Sequence, residues 1–298
     1  MKKTLALLAL LSLAVTASAQ DWAKARLEKS PRHGEWVKVK HGDREVNCFI
    51  VYPEVKEKAT AVLLIHEIFG LSDWARNAAD EMAEAGYIAI APDLLSGTAP
   101  GGGGTAEYPG RDAITKAVSS LPADQVTADL NAVAEYVTKL PACNGKLVVG
   151  GFCWGGGQTF RYATNNKDLK AAFVFYGTGP KNDEELARIN CPVYGFYGEK
   201  DARVDATIPQ SQEAMKKAGK TFDPVTYTGA GHGFMRAGRP ERQPRQPSRQ
   251  QSRPRRRLET LERPVERHLK NRRKQGLQFR EPPVTFPKSV GSERSSVW

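Results

Sequence analysis

The stretch formed by residues 146–157 constrains the fold of this chain more than any other. It joins an apolar run at residues 147–149 to the pattern Gly151-Phe-Cys-Trp-Gly155 and then to a stretch of helical character. The apolar run is typical of a buried parallel strand. Glycines beside Cys153 permit a strained strand-to-helix turn because they lack a Cβ atom. The pattern predicts a nucleophilic Cys153 at a helix N-terminus, where a thiolate is favoured, and the alternative is a buried, inert cysteine.

Apolar runs alternate with amphipathic stretches along most of the chain. Continuous apolar runs predict buried strands, and spacing of three to four residues predicts helices. The alternation indicates an α/β fold with a doubly wound, mostly parallel sheet and helices on both faces. Residues 21–34 are polar and are expected to be extended or frayed. The predicted strands are residues 36–39, 45–52, 60–65, 87–91, 147–149, 171–176, 191–197 and 224–227, and the predicted helices are residues 74–85, 111–119, 123–140, 158–163, 182–189 and 209–218.

Three polar residues follow predicted strands in the same way that Cys153 does. Glu67 follows the strand at 60–65, Asp201 follows the strand at 191–197, and His232 follows the last strand. Ligands of such sheets bind beyond the carboxyl ends of the strands. The chain order of nucleophile, acid and histidine is that of the α/β-hydrolases. The sequence therefore predicts a catalytic triad, although each residue taken alone would be read as a solvated loop acid or a turn histidine.

Five short motifs resemble those of the dienelactone hydrolase (carboxymethylenebutenolidase) family, over residues 45–238. The resemblance implies the α/β-hydrolase fold and hydrolysis of the lactone ring of dienelactone to maleylacetate, with no cofactor and no metal. The motifs are His66-Glu-Ile-Phe-Gly70, Ala91-Pro-Asp93, Gly151-Phe-Cys-Trp-Gly-Gly156, Gly198-Glu-Lys-Asp-Ala-Arg-Val204 and Gly231-His-Gly-Phe234.

The resemblance also implies a role for each residue of the site. Cys153 is the nucleophile, His232 the base and Asp201 the partner of the base. The backbone N–H groups of Ile68 and Trp154 form the oxyanion hole. A lactone or ester opened in this way passes through a covalent acyl-enzyme.

Further residues are assigned to the resting thiol and to the substrate. On the resemblance, Glu67 holds the resting thiol and takes its proton when substrate arrives, which would protect the sulfur from oxidation. Arg236 and Arg111 bind the substrate carboxylate. Arg111 fits by approximate register only, and its alternative is an exposed charge at a helix start. This chain has Thr115 where the family pattern has a tyrosine, so the expected substrate is a small lactone or ester, anionic in character, without a more specific assignment.

Two other functions stay open at this point. One is a general carboxylesterase or thioesterase that uses the same site. The other is a secreted basic protein that binds nucleic acid or another polyanion and whose hydrolase body is vestigial. The ordered Cys153, Asp201 and His232 argue against the second, so nucleic acid is not the expected partner. The sequence does not predict the oligomeric state.

The first 19 residues predict a secretory signal peptide. Met1-Lys-Lys3 precedes an apolar run at 5–15 and the small residues Ala17-Ser-Ala19, which is the arrangement of a cleaved export signal. Cleavage would leave Gln20 first and would place the mature chain in the periplasm, without a membrane anchor. The alternative is an uncleaved anchor, although the run is shorter than a membrane span.

Four cysteines enter an oxidising compartment if the chain is exported. Their wide spacing indicates neither a metal site nor a disulfide framework. One bridge among Cys48, Cys143 and Cys191 stays open.

The residues after Gly238 differ in character from residues 20–238, which form the predicted hydrolase domain. Residues 239–298 hold 17 Lys and Arg against 6 Asp and Glu, and this accounts for the whole formal net charge of +11. Arginine, glutamine, proline and serine dominate this segment, which cannot bury enough apolar surface to fold alone. The predicted fold still lacks a last helix at this point, and a reading frame shifted by one base can encode an amphipathic one. We interpret residues 239–298 as a disordered tail that arises from a frameshift near Gly238.

Overall fold

The apolar runs of the sequence become neighbouring strands of one sheet in the computed structural model, which describes residues 22–236. Within these residues the sheet has eight strands in the order β1-β2-β4-β3-β5-β6-β7-β8. The pairs β1–β2 and β2–β4 are antiparallel, and every other pair is parallel. The strands are β1 Gly34–His41, β2 Arg44–Val51, β3 Ala59–Ile65, β4 Ile88–Pro92, β5 Cys143–Phe152, β6 Ala172–Phe175, β7 Val193–Gly198 and β8 Phe222–Tyr227.

Every helix after the first lies between consecutive parallel strands along the chain, as the connections of a parallel sheet require. The helices are α1 over residues 22–28, α2 Asp73–Glu84, α3 Arg111–Ser119, α4 Ala123–Thr138, α5 Trp154–Asn165, α6 Asp183–Ala187, α7 Ala202–Asp205 and α8 Ile208–Lys217. Short 3₁₀ turns occupy Thr105–Glu107 and Phe234–Arg236. The mostly parallel, doubly wound architecture expected from the sequence is confirmed. The predictions for residues 1–19 and 239–298 lie outside the described residues.

Two apolar clusters lie on the two faces of the sheet. Alternate residues of β2 separate between them, with Cys48 and Ile50 in one cluster and Phe49 and Val51 in the other. This follows from the two-residue period of a strand, which points successive side chains to opposite faces. Helix α4 packs into the first cluster and α2 into the second.

The first described residues correct one expectation. Residues 22–28 are helical, where an extended or frayed segment was expected. Ala23 is fully buried in the same cluster as α2, and Arg26 pairs with Glu81 and Glu84 of α2. The helix depends on these tertiary contacts because seven residues alone are too few to form a stable helix.

A partly buried ion-pair cluster attaches the antiparallel hairpin of β1 and β2 to helix α4. The Asp129 carboxylate of α4 is fully buried and accepts hydrogen bonds from Arg44 Nε at 2.7 and 3.0 Å. His41 Nε2 lies 2.6 Å from the same carboxylate. A carboxylate without solvent needs such partners, so the loss of Arg44 would leave an uncompensated buried charge.

Neighbouring strand ends bring the predicted site residues together. β3, β5, β6, β7 and β8 are adjacent and parallel, so the segments after their carboxyl ends meet at one edge of the sheet. Glu67 follows β3, Cys153 follows β5, Asp201 follows β7 and His232 follows β8.

We expect a Gly155→Ala substitution to lower the free energy of unfolding by about 1–3 kcal/mol, because extra atoms in a well-packed site force the backbone to move. A Cβ atom on Gly155 would overlap the carbonyl oxygens of Ile65 and His66. Gly157→Ala in the same helix is the matched control, since the nearest atom to the added Cβ would be Thr178 O at 3.5 Å, an ordinary van der Waals distance. That variant should be neutral or more stable by up to about 1 kcal/mol. Urea unfolding measures both, and equal effects of the two substitutions would contradict the argument.

Candidate active site

Cys153 lies at the turn between β5 and α5 in a backbone conformation that side chains rarely adopt. Its φ is 56° and its ψ is −117°, in a region that costs a non-glycine residue on the order of 1–3 kcal/mol. The chain passes so close to β3 that a Cβ atom at Gly155 would overlap the backbone there, and Gly151 is equally close to Gly155 O. The glycines of the pattern therefore allow the turn, as the sequence predicted.

The cysteine, histidine and acid that were predicted from their order meet in space. His232 Nε2 lies 3.0 Å from Cys153 Sγ, and His232 Nδ1 lies 2.5 Å from Asp201 Oδ2. Asp201 is 6% exposed, so its carboxylate is held away from water and directed at the imidazole. This is the relation of nucleophile, base and orienting carboxylate that activated nucleophiles require.

The surroundings of His232 make it a stronger base than an ordinary histidine. The hydrogen bond to the Cys153 sulfur, opposed by burial and assisted by the Asp201 carboxylate, raises the pKa of His232 to about 9. The imidazole can therefore hold a proton taken from the sulfur near neutral pH.

Glu67 lies behind this group in a largely dehydrated place. It is 3% exposed, and its carboxylate accepts a hydrogen bond of 3.2 Å from the Tyr176 hydroxyl. Arg236 Nε lies 3.2 Å from the other oxygen, within ion-pair distance but not aligned as a hydrogen bond. Burial raises the pKa of the Glu67 carboxyl, against the opposing effect of Arg236. The Cys153 sulfur lies against His232, whereas the Glu67 carboxylate contacts Tyr176 and Arg236.

The two predicted substrate arginines meet on one aromatic ring. The guanidinium carbon of Arg111 lies 3.8 Å from the centre of the Phe69 ring, and that of Arg236 lies 5.1 Å from it. An aromatic face attracts cations, so Phe69 holds both guanidinium groups at one place. Arg111 is an exposed residue at the start of α3, as its alternative interpretation held, and it is also directed towards the site.

The oxyanion donors predicted from the sequence line the cavity into which Cys153 opens. This cavity has a volume of about 530 Å³, and its wall includes Ile68, Cys153 and Trp154. Trp154 is the first residue of α5, so its N–H group has no acceptor inside the helix and is free for a ligand. Neither Arg111 nor Arg236 lines this cavity.

Two aromatic residues of the site were missed from the sequence. Tyr176 has a φ of 39° and its hydroxyl donates a hydrogen bond to Glu67. Its ring forms a T-shaped pair with the His232 ring, with 5.1 Å between the ring centres. The Phe69 ring contacts the guanidinium groups of both arginines. Tyr176 ends a predicted strand, so the rule that selected Glu67 and Asp201 would also have selected it. Phe69 gave no such signal, because an aromatic residue in a loop is more often a packing residue.

The other three cysteines are free and buried, which answers the open question of a disulfide in this structure. Burial raises the pKa of the Cys191 thiol to about 12 and that of the Cys48 thiol further, so neither is a reactive thiolate near neutral pH.

Across residues 22–236, no group of three or more His, Cys, Asp or Glu side chains could hold a metal ion. No helix in this part of the chain is long and apolar enough to cross a membrane.

Comparisons with known proteins agree with the geometry. The model of the dienelactone hydrolase family matches residues 46–263, a range that includes part of the arginine-rich segment. A candidate carboxymethylenebutenolidase from Methylorubrum extorquens is 33% identical over 215 residues, which cover 68% of this chain and 73% of the relative. A similar protein from Salmonella typhimurium is 33% identical over 207 residues, 66% of this chain and 76% of the relative.

A solved structure leads to the same family. The crystal structure of a candidate dienelactone hydrolase from Klebsiella pneumoniae superposes with a TM-score of 0.61 at 30% identity, and the match covers 69% of this chain and 89% of the other. Together with the family model, this match extends the resemblance from short motifs to the fold. The chain belongs to the dienelactone hydrolase family and is a hydrolase with the α/β-hydrolase fold.

Proposed function

We propose that this hydrolase opens a lactone or ester bond through Cys153, with His232 as base and Asp201 as its partner, and through a covalent acyl-enzyme. The observation that carries the proposal is the 3.0 Å separation of Cys153 Sγ and His232 Nε2, with Asp201 on the far nitrogen at 2.5 Å. The strained φ of Cys153 is a second support, because such strain persists where the surrounding structure holds a functional group in place.

In the first half of the reaction, the sulfur attacks the carbonyl carbon while its proton passes to His232 Nε2. The carbonyl electron pair moves to oxygen, and the N–H groups of Ile68 and Trp154 stabilise that charge. The tetrahedral intermediate then collapses, the C–O bond breaks, and the leaving oxygen takes the proton from His232. In a lactone both products stay on one molecule, which is bound to Cys153 as a thioester.

In the second half, a water molecule replaces the leaving group. His232 takes a proton from the water, and the resulting hydroxide adds to the thioester carbon. Collapse of the second intermediate releases the acid, and the sulfur regains its proton from His232. Asp201 holds the imidazole in the tautomer that both halves need.

The favoured substrate is anionic, of the dienelactone type. The candidate carboxymethylenebutenolidases among the relatives support this reaction. Arg236 and Arg111, which share the Phe69 ring, would bind the carboxylate. When Arg236 turns to the substrate, Glu67 loses its counter-charge and becomes a stronger base. The Cys153 proton nevertheless passes to His232, which lies 3.0 Å from the sulfur, and not to Glu67, the acceptor that the family resemblance implies, because Glu67 contacts Tyr176 and Arg236.

Function in the periplasm is part of the proposal. The support is the arrangement of the first 19 residues, with a basic start, an apolar run and small residues before Gln20.

One observation favours a general carboxylesterase instead. The cavity at Cys153 is bounded by neither Arg111 nor Arg236, so a neutral ester could reach the sulfur without contacting either arginine.

We expect Arg236→Ala to lower kcat/KM for a lactone bearing a carboxylate about tenfold or more, because hydrogen bonds to charged groups contribute roughly 1.5–3 kcal/mol. Steady-state kinetics on such a lactone and on 4-nitrophenyl acetate separate the two functions. Equal rates on the lactone before and after substitution would favour the general esterase.

We expect Cys153→Ala to lower kcat/KM for 4-nitrophenyl acetate by at least about a thousandfold, because a catalytic nucleophile acts as a unit with its base. Release of 4-nitrophenolate measures the rate. Cys191→Ala is the control, since Cys191 is buried away from the cavity and should retain activity. Substantial hydrolysis by the Cys153→Ala enzyme would refute the proposed nucleophile.

The titration of His232 is a separate test. NMR should show His232 titrating near pH 9 in the unsubstituted protein and at lower pH in Cys153→Ala, because the hydrogen bond to sulfur is the largest cause of the raised pKa. The raised pKa stabilises the fold fully below about pH 6.5, and this stabilisation is lost as the pH rises through about 9. Cys191→Ala should leave the His232 titration unchanged. A titration that is the same in Cys153→Ala would contradict the thiol–imidazole contact.

A further inference from the structure

Part of the wall of the Cys153 cavity carries an excess of positive charge. Three helices and one loop contribute to it, namely the first two turns of α5, the loop after β6, α6 and α7. Its charged side chains are Arg161, Lys181, Glu185 and Arg203. Three cations therefore face one carboxylate in a cavity whose size, about 530 Å³, is typical of sites for small organic ligands.

Arg161 is fixed within this wall. Its Nε donates to Gln158 Oε1 at 2.9 Å and its Nη2 donates to Ala123 O at 2.8 Å. Neither acceptor carries a charge, so these bonds position the guanidinium group without neutralising it. A cation held in this way adds a fixed positive potential to the cavity.

Lys181 and Arg203 lie at the exposed part of the wall. Among the described residues neither takes part in an ion pair. The loop that carries Lys181 is tied down, since Lys181 O accepts a hydrogen bond of 3.0 Å from Gln210 Nε2. Arg203 is in the short helix α7, whose N-cap residue is Asp201, so the backbone of Arg203 is held close to the triad.

These cations are separate from the two arginines on Phe69. Arg111, Arg236 and Phe69 are all absent from the lining of this cavity. Arg111 and Arg236 contact the Phe69 ring, whereas the other cations line the cavity at Cys153. A substrate bound at Cys153 with a single anionic group would satisfy only one of them.

We propose that Arg203 and Lys181, together with Arg161, form a second anion-binding subsite, and that the natural substrate is an ester or lactone with a second carboxylate or a similar anion. The inference rests on the proposed function, since it concerns the substrate of the Cys153 site. The subsite selects substrates by charge and makes no covalent bond.

The test uses three esters that share 4-nitrophenol as leaving group. They are the butyrate, which is neutral, the glutarate monoester, which has one free carboxylate, and the tricarballylate monoester, which has two. The measured quantity is the ratio of kcat/KM for the tricarballylate ester to kcat/KM for the butyrate. The full chain and its Arg203→Gln, Lys181→Gln and Arg203→Gln/Lys181→Gln variants are compared.

We expect this ratio to fall about tenfold in the double variant, because charge-assisted hydrogen bonds are lost. Arg203→Glu should lower it further, and Glu185→Gln should raise it. Added salt should lower the ratio in the unsubstituted protein, because exposed charges are screened. Lys170→Gln is the matched control, since Lys170 is exposed and precedes β6 at the amino ends of the strands, and it should leave the ratio unchanged.

The outcomes separate this inference from the proposed function. If the double variant keeps the ratio of the unsubstituted protein, or lowers it no more than Lys170→Gln does, the second subsite is refuted while Cys153-dependent hydrolysis stands. If the glutarate and tricarballylate esters lose activity equally, the subsite binds a first anion and the dianionic substrate is refuted. If no ester is hydrolysed in a Cys153-dependent way, the proposed function itself fails.

Discussion

The backbone conformation of Cys153 is the constraint on which the site depends. With φ at 56°, the chain leaves the centre of the sheet and enters α5 within one residue, so the sulfur stands above the strand ends and faces His232. Such a turn requires the helix to begin almost in contact with β3, and Gly155 is the residue that permits this approach. The strain is stored locally and is offset by the packing of β5 between β3 and β6.

A dehydrated carboxylate, that of Glu67, lies next to this turn and pairs with Arg236. Desolvation opposes the ionised form of Glu67, while Arg236 and the Tyr176 hydroxyl favour it. Burial is the larger effect, so the pKa of Glu67 is raised although a guanidinium group lies 3.2 Å away. The Glu67 charge is therefore sensitive to any ligand that draws Arg236 away, and this couples the occupancy of the Phe69 region to the acid–base state of the site.

Two groups of cationic side chains lie at the site, and they differ in the aromatic and acidic residues that accompany them. Phe69 holds the guanidinium groups of Arg111 and Arg236 through its aromatic face, and Arg236 is also offset by Glu67. The group on the cavity wall has only Glu185 as a carboxylate among the lining residues. A positive field of this kind attracts anions into the cavity, and it does so most strongly at low ionic strength.

Much of the fold and of the site could be predicted because the signals are local. Continuous apolar runs predicted the central strands, and the glycines around Cys153 predicted the turn. Cys153, Asp201 and His232 each follow a predicted strand, and their order along the chain predicted a triad. The prediction of an extended or frayed segment was wrong for residues 22–28, which are helical. Local sequence could not show this, because Arg26 pairs with residues of α2 that lie more than fifty positions later in the chain.

The sequence by itself determined the doubly wound α/β sheet and the residues that follow the carboxyl ends of its strands. These features depend on apolar runs and glycine positions, which can be recognised within short stretches of the chain. Only the tertiary structure decided which of those residues touch. It placed Tyr176 on Glu67, both arginines on Phe69, and Arg203 and Lys181 on the wall of the Cys153 cavity. These contacts join residues that are far apart along the chain, and their geometry depends on how the loops pack after the sheet has formed.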